Sequence, residues 1–506
     1  MKKLSVSFRS INGPAFDSIL LALIQIVTYA ANIVTTKILA VEFSLTEYGT
    51  YSTVNSVITL AASLTLFGLG DTINYYYNRK DSCENTAQRE EYVNTIFFVQ
   101  LYLGAVVSGI LAVFAGPISN YYHNLLVKPL VLTVCLKPWL SNATHLYQVL
   151  FVSSGRAKFI ALRNLVLAIS KVVMIYAVIK IFDSLFVIFL CLVLLDVLQL
   201  VIFSYIFGKI RFRIHIFSFS CEKLGPVIKY ALPMGVYFVT LTVMREIDKL
   251  VIGWFGTTEE LAIYSNCAKT LPLNLLTVSF STVMIPFIMK NVSSRNYQKT
   301  AQIMKKYLTI GYLSVWMFSG ALLLCASEAI QFFYSEEYIV GHPVFVLYIL
   351  DGMVQFASVH LIIAANGDTK FLMRTALCFL MVNAVLSVFL YIILDALGAS
   401  ILGPAIATVL VSLLYVSVMY SKSAQILQTR IQEFVPIKRM VTYLCELGMI
   451  GIVFYYIKSG LQTLQLHWVF VFLLIAACYC AVVVLIHLKE YINLFVGINQ
   501  LRHSDR

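Results

Sequence analysis

Four charged residues, Arg245, Glu246, Asp248 and Lys249, fall within five positions, directly after the uncharged fifteen-residue stretch "YALPMGVYFVTLTVM". An ion held in apolar surroundings is costly unless it is paired or put to use. Arg245 with Asp248, and Glu246 with Lys249, are each three apart, so the cluster can neutralise itself along one helix. Arg245 and Lys249 are four apart and also present two cations on one face, an arrangement suited to a phosphate or carboxylate. The same question attaches to Lys37, Lys137, Lys171 and Lys269, and to the acids Asp196 and Asp351, each set among apolar neighbours. Pairing explains such groups as structure. An oxyanion explains the lysines as a binding surface, and a coupling H⁺ or Na⁺ explains the carboxylates.

Those charges lie in a chain built of membrane-length segments. Of its 506 residues, 60% are hydrophobic and 12% charged, with a mean hydropathy of +0.84. Uncharged apolar runs of about 20 residues, enough to cross a ~30 Å hydrocarbon core, recur along the chain. They are too long for barrel strands, so the fold class is an all-α polytopic membrane protein. Fourteen spans are read, at 16–40, 48–76, 92–116, 129–152, 159–179, 184–207, 228–254, 260–289, 307–327, 343–365, 371–394, 400–421, 440–457 and 467–488. With the N-terminus in the cytoplasm, 28 of the 37 Lys/Arg fall on that side, span ends included. Three (Lys128, Lys180, Lys458) fall on the other side, and six lie within spans. This is the positive-inside pattern, with both termini cytoplasmic. The net charge of +12 is thus a topology signal, directed at anionic membrane lipids and not at nucleic acid.

Catalytic signatures are absent from the sequence. The ten cysteines and eight histidines show no metal-ligand spacing, and no HExxH, GxSxG or P-loop occurs. No metal, resident cofactor or enzymatic activity is expected. "YYY" at 75–77 reads as part of an interfacial aromatic belt.

An internal repeat organises the spans. "KILAVEFSLTEYGTYS" (37–52) echoes "KLVIGWFGTTEELAIYS" (249–265): Lys37 matches Lys249, Phe43 matches Phe255, and the two "TE" pairs lie 212 residues apart. One residue is inserted after the second "TE". "SSGRAKF" (153–159) and "ANGDTKF" (365–371) repeat the same interval. The period equals six spans, so both copies share one orientation and are expected to be related by a pseudo-two-fold axis along the membrane normal. The domains are then 1–226 (N-lobe, spans 1–6), 227–436 (C-lobe, spans 7–12) and 437–506 (spans 13–14 and tail). Two six-helix lobes facing a central cavity form a device for alternating access.

Three features resemble the polysaccharide (O-antigen) flippases of the multidrug/oligosaccharidyl-lipid/polysaccharide exporter superfamily. They are "TEYGTY" after span one, "IDKLVIGWFGTTEELAIYS" at spans seven to eight, and a Gly-x-x-Lys loop after spans four and ten. The resemblance covers the whole chain. It implies movement of an undecaprenyl-pyrophosphate-linked oligosaccharide from the cytoplasmic to the periplasmic leaflet of a bacterial inner membrane. It further implies a monomer working beside polysaccharide polymerase and chain-length machinery. On this reading Lys37, Lys171, Arg245, Lys249 and Lys269 line a cavity that receives the pyrophosphate. Asp196, Asp351 and Asp248 form ion pairs or hold a coupling H⁺ or Na⁺. A lipid II flippase and a multidrug or toxin exporter are the alternatives within the superfamily. A membrane glycosyltransferase or polymerase fits less well, because it needs a large external loop and no six-span repeat.

Overall fold

The computed structural model describes residues 14–78, 86–154, 156–210, 212, 214–215, 218–269, 288, 291–292, 295–356, 360–464 and 466–491. Among these residues every regular element is helical, and twelve helical segments are long and apolar enough to cross a membrane. The chain is therefore an all-α, multi-pass membrane protein.

Two compact units divide the chain, Met1–Thr242 and Val243–Arg506. The first contains α1 (Pro14–Glu42), α2 (Leu45–Leu66), α3 (Leu69–Asn78), α4 (Thr86–Tyr121), α5 (Val127–Val134), α6 (Lys137–Ser153), α7 (Ala157–Phe182) and α8 (Leu185–Ile210). Helix α9 (Cys221–Phe255) belongs to both, since the division falls within it. The second unit contains α10 (Thr258–Cys267), α11 (Tyr297–Leu324), α12 (Ala326–Phe333), a 3₁₀ turn at Glu336–Gly341, α13 (His342–Gln355) and α14 (His360–Ala365). It continues with α15 (Thr369–Asp395), α16 (Leu402–Leu427), α17 (Ile431–Phe434), α18 (Ile437–Thr463) and α19 (Trp468–Ile486).

The count of fourteen spans meets this structure at two places where it is not reproduced. Span four (129–152) is not one helix but two, α5 and α6. Pro138 causes the break: it has no N–H to give the preceding turn. The start of α6 is tied to its neighbours by side chains: Thr65 of α2 donates to the Pro138 carbonyl at 3.3 Å, and Gln100 of α4 donates to the Trp139 carbonyl at 3.1 Å. Span eight (260–289) begins as α10, but beyond Lys269 it lies outside the described residues up to Ile288. The basic N-terminal tail and Gly155 of the repeat also lie outside them.

The echoed strings share one local feature, a matching helix start, at a spacing one residue longer than the 212 of their other matches. Ser44 caps α2: its hydroxyl accepts the Glu47 N–H, and the Glu47 carboxylate accepts the Ser44 N–H. Thr257 caps α10 in the same way with Glu260. Each is a capping box, which satisfies two amides that the first turn would leave unpaired. The equivalent residues are thus 213 apart. The inserted residue is Gly256, before the cap, and not a residue after the second "TE".

In the first unit, the α2–α3 break carries Phe67 at φ 34° and Gly68 at φ 72°. A Cβ on Gly68 would sit 2.9 Å from both the Ala231 carbonyl oxygen and the Gly235 nitrogen of α9. Glycine is required there for both reasons. Below the break, Leu69, Ile73, Ile96, Leu146, Leu150 and Phe207 form a fully buried core. Tyr76 and Tyr77 join it at 6% and 4% exposure, so only Tyr75 of the "YYY" run fits the belt reading. In the second unit, α15 packs on α16, α13 on α16, and α11 against the α18–α19 hairpin.

Candidate functional site

The broken span four places Lys137 at the first position of α6, deep within the first unit. Its ammonium meets Asp196 of α8 at 2.5 Å, both side chains being nearly buried. Asp196 thus forms an ion pair, and its partner is Lys137. Two more cations come from α7. Lys171 lies within electrostatic reach of Lys137, Asp196 and Arg163. Arg163 donates to Gln199 of α8 and, at 2.8 Å, to Asn164, with its guanidinium 5.1 Å from the centre of the Phe203 ring.

Charge and hydrogen bonding in this cluster are both out of balance in the same direction. Three cations face one carboxylate. Arg163 Nε and Gln199 Nε2 are buried donors that meet no acceptor among the described residues. Desolvated donors and surplus positive charge are both costly. An oxyanion supplies what is missing: negative charge and several acceptor oxygens.

The opening cluster on α9 resolves differently from the simple pairing scheme. Lys249 does pair with Glu246, at 2.9 Å. Arg245 does not pair with Asp248. The helix turns Arg245 to the exposed side, while Asp248 is 2% exposed and points into the second unit. There its carboxylate accepts hydrogen bonds from Tyr348 at 2.6 Å, Tyr264 and Thr408 at 2.7 Å, and Ser387 at 3.4 Å. Four helices besides α9 (α10, α13, α15 and α16) therefore converge on one carboxylate. No described cation pairs with it. Hydroxyl donors to a carboxylate are strong contacts, each about 1.5–3 kcal/mol. They also leave hydroxyl oxygens around the acid, a hard donor set that suits H⁺ or Na⁺.

Two of the remaining candidates lie within electrostatic reach of the α9 cluster, Asp351 of Asp248 and Lys269 of Glu246. Asp351 of α13 accepts both contacts of Gln355 Nε2, at 2.9 and 3.1 Å, and Gln355 also donates to Ser412 of α16. Lys269, just past α10, donates to Asn266 at 2.9 Å and faces the Tyr334 ring 6.0 Å from its centre. Lys37 is half-buried near the end of α1.

Sequence reasoning passes over Arg163, Gln199 and the four hydroxyls. Arg163 lies only six residues into α7, where a topology count assigns it to the charges at the cytoplasmic end. A cation inside an apolar helix is the available signal. Tyr264, Tyr348, Ser387 and Thr408 lie 16 to 160 residues from Asp248 and carry no local mark.

Comparison with known proteins adds a family and a fold. Residues 38–343 match the family described as polysaccharide biosynthesis protein. Among solved structures, the chain is similar to the lipid II flippase MurJ in an inward closed conformation, with a TM-score of 0.72 at 14% identity, covering 94% of this chain and 100% of that one. It is similar to an inward-facing multidrug resistance MATE family transporter, with a TM-score of 0.61 at 13% identity, covering 82% and 100%. It is also similar to the MATE multidrug transporter DinF-BH, with a TM-score of 0.56 at 16% identity, covering 85% and 100%. At these identities the likeness is one of fold alone. No curated protein shows significant sequence similarity to the chain.

Proposed function

The chain belongs to the polysaccharide biosynthesis protein family, and we propose that it is a flippase for a pyrophosphate-linked oligosaccharide lipid. On this proposal it moves undecaprenyl-pyrophosphate-linked repeat units from the cytoplasmic to the periplasmic leaflet of a bacterial inner membrane, for surface polysaccharide synthesis. The observation that carries this reading is the Lys137–Arg163–Lys171 cluster around the single carboxylate of Asp196. A pyrophosphate brings about two negative charges into a low-dielectric region, where unscreened cations offset its desolvation. A multidrug exporter with cationic cargo has no use for such a surplus.

Asp248 is the proposed coupling site. Its carboxylate, held by hydroxyls from four neighbouring helices, takes up H⁺ or Na⁺, and that uptake alters how tightly α10, α13, α15 and α16 are held to α9. Lipid II, the cargo in the name of one similar structure, is the competing substrate; the matched family favours a polysaccharide repeat unit.

The test is complementation of a strain lacking its polysaccharide flippase, scored as surface glycan. Wild type is expected to restore glycan, and Arg163→Ala and Lys171→Ala to restore little at equal membrane abundance. Full restoration by both variants would remove the cluster from the substrate path.

A further inference from the structure

A half-open groove of about 500 Å³ lies within the second unit, where α18 passes α11 and α13. Trp316 and Gly320 of α11 and Leu447, Gly448, Gly451 and Lys458 of α18 line it, and its walls are otherwise mostly apolar. On α18 the lining runs from Leu444 to Lys458, about 21 Å at a helical rise of 1.5 Å per residue. A bilayer is about 40–45 Å thick with its headgroups, so the groove has the depth of one leaflet. The neighbouring α18 side chains Met449, Ile452, Val453 and Tyr456 are all more than half exposed, which puts this helix against lipid.

The glycines lining it are of two kinds. At Gly320 an added Cβ would collide with the Tyr479 ring, so packing explains that residue. At Gly448 and Gly451 an added Cβ would meet nothing within 4 Å. Each costs roughly 1 kcal/mol of helix propensity relative to alanine and permits no close helix approach in return. The one structural consequence of these two glycines is the empty width of the groove.

Its end is polar. Lys458 and Glu328 pair at 2.7 Å, each side chain 13% exposed. Gln462 donates to the same carboxylate at 3.1 Å, and Lys458 donates to the Leu324 carbonyl at 2.9 Å. The pair is neutral overall, so a purely anionic headgroup gains little there. A headgroup carrying both charges meets complementary partners: its phosphate faces Lys458 and its amine faces Glu328.

We propose that this groove binds one phospholipid with a zwitterionic, amine-bearing headgroup. An acyl chain lies over Gly448 and Gly451, and the headgroup sits at the Lys458–Glu328 pair. The lipid fills the seam between α11 and the α18–α19 hairpin and so holds the hairpin in place. This site is independent of the substrate reading above.

Native mass spectrometry of the purified protein tests it, with phosphatidylethanolamine, phosphatidylglycerol and undecaprenyl phosphate supplied at equal concentration. Wild type is expected to retain one phosphatidylethanolamine in preference to the other two. Gly451→Leu, whose side chain fills open space and improves helix propensity, is expected to lose that adduct while staying monodisperse. Should that variant fail to fold, Lys458→Met with Glu328→Gln removes the headgroup partners together. It is expected to bind phosphatidylethanolamine and phosphatidylglycerol equally. Equal retention by wild type and Gly451→Leu, preference for either other lipid, no adduct on wild type, or an unchanged preference in the double variant would overturn the proposal.

Discussion

Replacing Lys171 with methionine separates a substrate site from a structural ion pair, because the two predict opposite changes in stability. Methionine keeps the length and apolar stem and removes only the charge. Asp196 already has its 2.5 Å partner in Lys137, and Arg163 stands nearby as a further cation. Removing Lys171 therefore leaves no carboxylate unpaired. A lysine at the centre of a span costs about 2.5–3.5 kcal/mol on insertion scales, which sets the upper limit of what the change returns. Lys171→Met is expected to raise thermal stability in detergent while lowering flipping. Asp196→Asn is the contrast. It leaves three cations with no acid among them, and breaking a buried pair in this way costs about 3–5 kcal/mol. Lys137→Met falls between these, because Arg163 and Lys171 remain to balance Asp196. The assay is a melting curve by size-exclusion fluorescence, beside flipping in proteoliposomes for each variant. A Lys171→Met protein that is less stable than wild type, or that flips at the wild-type rate, would refute the reasoning.

Three further outcomes follow from the same geometry. Asp248→Asn should abolish the dependence of flipping on a H⁺ or Na⁺ gradient, measured in proteoliposomes with imposed gradients, while the protein remains extractable; gradient-driven transport by the variant would exclude Asp248 as the coupling site. Arg245→Ala should change stability by no more than about 0.5 kcal/mol, as for other exposed residues outside special contacts, and Asp248→Ala should not rescue it but should itself destabilise, since four hydroxyls lose their acceptor. Gly68→Ala should destabilise by at least about 1–2 kcal/mol, the cost of a left-handed residue with a Cβ, read as a lowered melting temperature; an unchanged value would mean the α2–α3 break relaxes freely.

The multi-pass helical architecture was legible because hydropathy reports directly on solvent. Apolar runs have one stable use at that length. The two capping boxes lie within the repeated strings, but identity alone does not set the register between them. Identity matching aligned Thr46-Glu47 with Thr258-Glu259, whereas the hydrogen bonds align Ser44–Glu47 with Thr257–Glu260. The break in span four was not read from the sequence, which takes 129–152 as one span, although Pro138 carries the signal, since proline removes a helix donor. The Asp248 environment was beyond local reading. Spacing of three allowed a bond to Arg245, but the rotation of α9 sends one residue inward and the other outward. The partners that Asp248 finds depend on how α10, α13, α15 and α16 pack. Long-range packing likewise decides that Tyr76 stacks on Tyr92 at 4.2 Å in a core, where composition alone pointed to the membrane interface.

The most direct measurement reconstitutes the purified protein into liposomes carrying a fluorescent undecaprenyl-pyrophosphate oligosaccharide in one leaflet and follows its exposure to an impermeant quencher. The account predicts protein-dependent exposure of the lipid-linked oligosaccharide, strongly reduced by Arg163→Ala and Lys171→Met. Liposomes in which the wild-type protein leaves that lipid in place, yet moves a cationic dye across the bilayer, would contradict it.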